Sequence, residues 1–111
     1  MPPTGEAAVT DPIRIRAKTK EDVTEVLVLM PHPMETGMRK TDNGALVAAH
    51  YITDVRIAVA GRTVLEANMS MAVARDPLLS FRFRGGRPGD PISVTWTDNH
   101  GTQRTDEGMI V

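Results

Sequence analysis

An all-β, immunoglobulin-like sandwich of about seven short strands is the architecture that the sequence predicts. Three observations carry that expectation. Apolar and polar residues alternate with a period of two in several short runs, as on half-buried strands. Clusters of Gly, Asn, Asp and Pro separate these runs at the spacing of a sandwich. No window sustains a helical period. A length of 111 residues suits one domain with one core, with a flexible arm expected over residues 1–12 and the sandwich over 13–111.

The first run, Ile13-Arg14-Ile15-Arg16, alternates apolar and basic residues. A polar turn at Thr19 to Asp22 leads into Val23 to Met30, where Val26, Val28 and Met30 share one face and Leu27 and Leu29 the other. With both faces apolar, this strand reads as central or covered on two sides. Thr41-Asp42-Asn43-Gly44 is a turn, its Asn-Gly pair suited to positive φ. In Tyr51 to Val59 the alternation puts Tyr51, Thr53, Val55, Ile57 and Val59 on one face, with Asp54 and Arg56 opposite. Ala60-Gly61-Arg62 turns the chain into a hairpin partner over Thr63 to Ala67. Leu79, Phe81 and Phe83 alternate with Ser80 and Arg82, and a turn follows at Gly85 to Asp90. Ile92, Val94 and Trp96 then alternate with Ser93, Thr95 and Thr97, and Asp98-Asn99-His100-Gly101 closes a last hairpin into Thr102 to Ile110. Aromatic residues are only 4% of the chain, so the core must rest on Val, Ile, Leu and Met, with Trp96 its expected plug.

Composition narrows the functional classes. A net charge of -1 offers no global field for nucleic acid or an anionic membrane. No apolar run reaches the ~20 residues that cross a bilayer. There is no cysteine, which removes disulfides, thiolate nucleophiles and sulfur-ligated metals. Met1 to Pro12 lacks the basic start and apolar stretch of a secretory signal.

One segment is not explained by packing: Met30-Pro31-His32-Pro33-Met34-Glu35-Thr36-Gly37-Met38-Arg39-Lys40. Met30, His32, Met34 and Met38 carry the soft thioether and imidazole donors that suit Cu(I). Methionines more often fill gaps or form adaptable contact surfaces, and prolines on both sides of His32 limit how the loop can wrap an ion. A contact surface is therefore the expectation and a copper-binding sandwich the alternative. Phe81-Arg82-Phe83-Arg84-Gly85-Gly86-Arg87 has the interleaving of a single-strand nucleic-acid surface, yet equally reads as a strand with its phenylalanines inward. His32, His50 and His100 lie in three separate segments, and Ser70, Ser80 and Ser93 have no nucleophile-elbow setting. Asp106 and Glu107 are adjacent on a strand and point to opposite faces, so they do not converge on one substrate. No catalytic site is expected in this chain.

Three motifs together resemble the SoxZ family of the bacterial sulfur-oxidising (Sox) system. Pro31 to Lys40 resembles the family's His-x-Met-Glu-Thr-Gly-x-Arg-Lys segment. Phe81-Arg82-Phe83 with Gly86 to Asp90 resembles its strand and Gly-Asp turn. Val94 to Gly101 with Arg104 to Glu107 resembles its last hairpin. The departures are mild: Asp76-Pro77 stands where Asn-Pro is usual, and the N-terminal arm is longer. The resemblance implies a non-catalytic subunit, without cofactor or metal, that forms an obligate heterodimer with SoxY, whose arm cysteine carries the sulfur covalently. It also implies transient docking with other Sox enzymes and a periplasmic location reached by export with SoxY. With no thiol, this chain cannot hold the cargo. The expected SoxY-facing residues are Val26, Val28 and Met30. The expected contacts to the arm or to visiting enzymes are His32, Met34, Glu35, Arg39 and Lys40, with Arg39 and Lys40 placed to hold an anionic sulfur group.

Overall fold

A computed structural model describes residues 10–111. Seven strands form: β1 (Arg14–Lys20), β2 (Val23–Leu29), β3 (Ile52–Val59), β4 (Arg62–Asn68), β5 (Leu78–Arg84), β6 (Pro91–Asp98) and β7 (Gln103–Met109). They make a three-stranded sheet in the order β1-β2-β5 and a four-stranded sheet in the order β4-β3-β6-β7. Every neighbouring pair is antiparallel. The expected all-β sandwich is therefore present, and among the described residues no helix forms. Of the expected arm, residues 1–9 lie outside the described residues.

The sheets meet through β-branched side chains. Val26 and Val28 of β2 are buried with Ile52, Val55 and Ile57 of β3 and Ile92 and Val94 of β6. Trp96 is 1% exposed and is the large plug that the alternation in β6 indicated. β1 and the chain end close one side: the Thr19 N–H donates to the Val111 carbonyl, and the Val111 N–H to the Ala17 carbonyl, each at 2.9 Å. Asp106 in β7 takes two hydrogen bonds from the Arg104 guanidinium, at 2.8 and 3.0 Å, and one from the Ile13 N–H at 2.8 Å. Glu107 is exposed, so the two acidic neighbours do point apart.

Two facing assignments change. A register shift between Ile52 and Asp54 lets two β3 residues oppose one β6 position, which inverts the alternation at the start of β3. Ile52, rather than Tyr51 or Thr53, is consequently the fully buried side chain there. The expected partner-facing set on β2 is also corrected. Val26, Val28 and Met30 are 2%, 0% and 0% exposed, packed between the sheets. One side of every strand in a two-layer sandwich must face the other layer. Here the valines take that side, and Val23, Glu25, Leu27 and Leu29 face outward.

The segment from residue 30 to 51 carries the chain from the first sheet to the second. It folds back on itself as an irregular hairpin. Glu35 and His50 exchange backbone hydrogen bonds at 2.6 and 2.9 Å, and the Val47 N–H donates to the Arg39 carbonyl at 2.8 Å. Its N-terminal part is tied to the β4–β5 connection. The His32 N–H donates to Asp76 Oδ1 at 2.9 Å, and the Asp76 N–H to the His32 carbonyl at 3.0 Å. These ties bring residues remote in sequence to the end of β6.

Candidate functional site

At that end of the sandwich three ionisable side chains converge. Asp98 is the last residue of β6, and its side chain is 1% exposed. Its Oδ1 accepts the N–H groups of His100 and Thr102, each at 3.0 Å, and so closes the β6–β7 turn. Its Oδ2 accepts from two imidazoles, His32 Nε2 at 3.1 Å and His50 Nε2 at 2.8 Å. One carboxylate thus satisfies a turn and holds two rings. The rings pack edge to face, with centroids 4.6 Å apart. His50 also stacks on His100 at 3.9 Å, and His100 Nε2 donates to the Ala49 carbonyl at 3.0 Å.

The electrostatics follow from this arrangement. Burial alone would raise the Asp98 carboxyl. Hydrogen bonds from His32, His50, Thr102 and His100 outweigh it and hold the group below the usual carboxylate range. Burial dominates at His32 and lowers its pKa despite the bond to Asp98, so the ring is neutral beside an ionised carboxylate. Its tautomer is fixed by the chain. His32 Nδ1 accepts the Met34 N–H at 3.1 Å, so the ring proton sits on Nε2 and points at Asp98.

A cavity of about 270 Å³ lies over the cluster, walled by His32, His50, Trp96 and Asp98 with Arg75 and Asp76. The Trp96 ring meets His32 edge-on at 5.1 Å. Trp96 Nε1 is buried with no hydrogen-bond partner among the described residues. Thr10 and Thr102 supply the hydroxyl side chains in its lining, and among the described residues neither hydroxyl hydrogen-bonds to His32 or His50.

His32, His50 and Asp98 are also a possible ligand set, their donor atoms lying within 4.8 Å of one another. In the folded arrangement both imidazole protons already point at Asp98 Oδ2. To bind an ion through Nε2, His32 must shift its proton to Nδ1 and give up the Met34 N–H. The geometry at hand is thus a closed hydrogen-bonded network. The methionine–histidine copper set fares no better. Met30 is fully buried, Met38 is 79% exposed, and Met34 Sδ accepts the Ile52 N–H at 3.3 Å.

Of the expected contact residues, His32 and Met34 are each 5% exposed and turned inward, so they are corrected from a contact surface to buried anchors. The physical reason is the transit between sheets, which drops Met30, His32 and Met34, alternate side chains at its start, into the core. Glu35, Arg39 and Lys40 remain outside. Arg39 is not a free cation: Nε and Nη2 grip Glu35 at 3.0 and 2.7 Å. This pair lowers the Glu35 carboxyl and raises the Arg39 guanidinium. His50 and Asp98 were missed as site residues. The Asp-Asn-His-Gly run reads only as a turn, and nothing local marks Asp98 as the acceptor of imidazoles 66 and 48 residues away.

The family model for the sulphur oxidation protein SoxZ matches residues 13–108. The chain belongs to the SoxZ family. It is thus a Sox sulfur-oxidation subunit, of a family whose members are non-catalytic carrier subunits. No curated protein sequence matches it. Among solved structures it is similar to a hypothetical protein from Pyrococcus horikoshii OT3, at 15% identity and TM-score 0.64, covering 89% of this chain and 87% of that one. It is also similar to the superoxide reductase (neelaredoxin) of Ignicoccus hospitalis, at 19% identity and TM-score 0.62, covering 91% and 80%. A variant neelaredoxin from Archaeoglobus fulgidus gives 19% identity and TM-score 0.58, covering 90% and 86%. At these identities the likeness is one of fold alone.

Proposed function

We propose that this SoxZ-family chain is the scaffolding half of a heterodimeric sulfur carrier, with SoxY as its partner. The observation that carries the reading is the family match over nearly the whole chain, combined with a sequence that holds no cysteine. Covalent sulfur carriage requires a thiolate, so the cargo rides on the other subunit. The buried His32–Asp98–His50 network fits a scaffold. It pins the inter-sheet segment, the start of β3 and the β6–β7 turn to one another, and so holds Glu35, Arg39 and Lys40 in fixed positions on the surface. Lys40, exposed and with no ion pair among the described residues, is the residue there suited to meet an anionic sulfur terminus. Function in the periplasm, with export on the partner's signal, completes the proposal.

Co-expression with the cysteine-bearing subunit tests it. The expected result is a stable 1:1 complex in which labelled sulfur from thiosulfate is found on the partner alone. A chain that purifies as a monomer and leaves thiosulfate turnover by the reconstituted system unchanged would overturn it.

A further inference from the structure

The outer face of the three-stranded sheet has a composition that neither the core nor the His–Asp cluster explains. Pairing registers lay its outward residues in four rows across β1, β2 and β5: Arg14–Leu29–Leu78, Arg16–Leu27–Ser80, Lys18–Glu25–Arg82 and Lys20–Val23–Arg84. All six basic side chains are exposed. Within these rows the only acid is Glu25, 3.7 Å from Arg82 in an open pair; Glu21 and Asp22 sit in the turn at one end. The chain holds 13 basic and 14 acidic residues, so this face leaves seven basic against thirteen acidic for the rest of the sequence. A net charge near zero conceals a strongly divided molecule.

Lysine and arginine on edge strands are also a means of discouraging sheet extension, and β1 and β5 are both edges of this sheet. That accounts for cations at the borders but not for the strand between them. Leu27 is 39% and Leu78 63% exposed, with Leu29 beside them, forming an apolar stripe framed by positive charge. A groove of about 600 Å³ adjoins this stripe at Leu27 and extends past Arg16 and Lys18 to the exposed side chains of Met109 and Val111. An apolar centre inside a charged rim is the anatomy of a specific protein interface. Like charges at successive outward positions of β1 repel in the isolated chain, and an acidic counter-surface relieves them.

We infer that this face, and not the buried side of β2, is the docking surface for the partner subunit, through a partner surface that is acidic around an apolar centre. The inference rests on the heterodimer reading above and assigns its contact area. The partner covers Leu27, Leu29 and Leu78, while its carboxylates meet the β1 and β5 cations.

The test uses the complex with the cysteine-bearing subunit and compares three variants by titration calorimetry at low and high salt. Arg16→Glu with Arg84→Glu reverses charge on both edges, Leu27→Ser empties the stripe, and Arg56→Glu is a control on the outside of the other sheet. The expected result is a rise in Kd of about tenfold or more for the first two, no change for the control, and weakening of the wild-type complex by salt. Matching melting temperatures show that the variants fold. If the complex forms and both face variants bind as wild type does, the assignment of the face is overturned while the heterodimer stands. If the wild type forms no complex, both fall. Retention of the wild type but not of the charge-reversed variant on phosphatidylserine vesicles, with an unaltered complex, would assign the face to a lipid surface and overturn the proposal.

Discussion

Replacing Asp98 with alanine is the sharpest probe of the His–Asp–His network. The carboxylate accepts four hydrogen bonds: two from imidazoles and two from backbone N–H groups. They do not count equally. The His50 side chain is 29% exposed and water replaces its lost partner. The His32 side chain is 2% exposed, and its Nε2–H is left buried without an acceptor. Because His32 is neutral, Asp98→Ala leaves no buried charge behind, and its cost is that of the stranded buried donor, about 1–3 kcal/mol. A domain of this size loses about 4 °C of Tm per kcal/mol, so Asp98→Ala should melt roughly 4–12 °C below wild type. The assay is reversible thermal unfolding by circular dichroism at neutral pH, with a urea series to convert the shift to free energy. His50→Ala should cost clearly less than Asp98→Ala. A loss below about 1 kcal/mol for Asp98→Ala would refute the argument, because it would mean that the buried donors find other acceptors and that Asp98 does not organise this end of the sandwich.

Stability should fall in two stages on acidification. His32 is held neutral in the fold, so its contribution is complete above its unfolded value of 6.5 and declines as pH drops below that toward its lowered folded value. Asp98 and Asp106, both lowered from 3.8, contribute above that value and lose their effect as pH falls through their folded values. In pH-dependent melting, His32→Gln should flatten the first stage and keep the second. Gly86→Ala should destabilise strongly in the same assay. Gly86 has a φ of 86°, and an added Cβ would meet Thr24 Oγ1 and come within 3.1 Å of Ile110 Cδ1. Treatment with a strong chelator should leave the melting temperature unchanged, because the network is closed by protons; a drop restored by Zn²⁺ or Cu⁺ would overturn the hydrogen-bonded reading. Arg39→Ala should free Glu35 but leave thiosulfate turnover by the reconstituted system near wild type, whereas Lys40→Ala should slow it. Equal turnover in both variants would end the anion role of this segment.

The strands were legible where burial on one face imposes a period of two, as in β1, β5 and β6, whereas in β4 the neighbours Val64 and Leu65 are both half-buried beside a register shift. What escaped was of another kind. The two apolar faces of β2 do not say which one meets the opposite sheet, and the face expected to meet the partner, Val26, Val28 and Met30, is the one that packs between the sheets. The β3 bulge inverts parity within one strand, and neither Tyr51 nor Thr53 announces it. The proline- and methionine-rich segment stood out correctly as unusual. Its residues were nonetheless read by chemical type, and soft polar side chains were taken for surface. The structure uses them as anchors, since Met34 gives its sulfur to a backbone N–H and His32 spends both nitrogens on internal partners. The cluster itself joins segments whose separation is set by the crossing from one sheet to the other, and no local pattern encodes that distance.

Trp96 is the chain's single tryptophan. Its ring lies edge-on to His32, 5.1 Å away, in the wall of the cavity. Emission from this protein is consequently a single-site signal from the heart of the network. An imidazolium quenches indole emission far more than a neutral imidazole, so protonation of His32 will dim the fluorescence before the sandwich opens. The molecule thus carries an optical gauge at the place where its architecture is tied together, and needs no label for the state of that network to be followed.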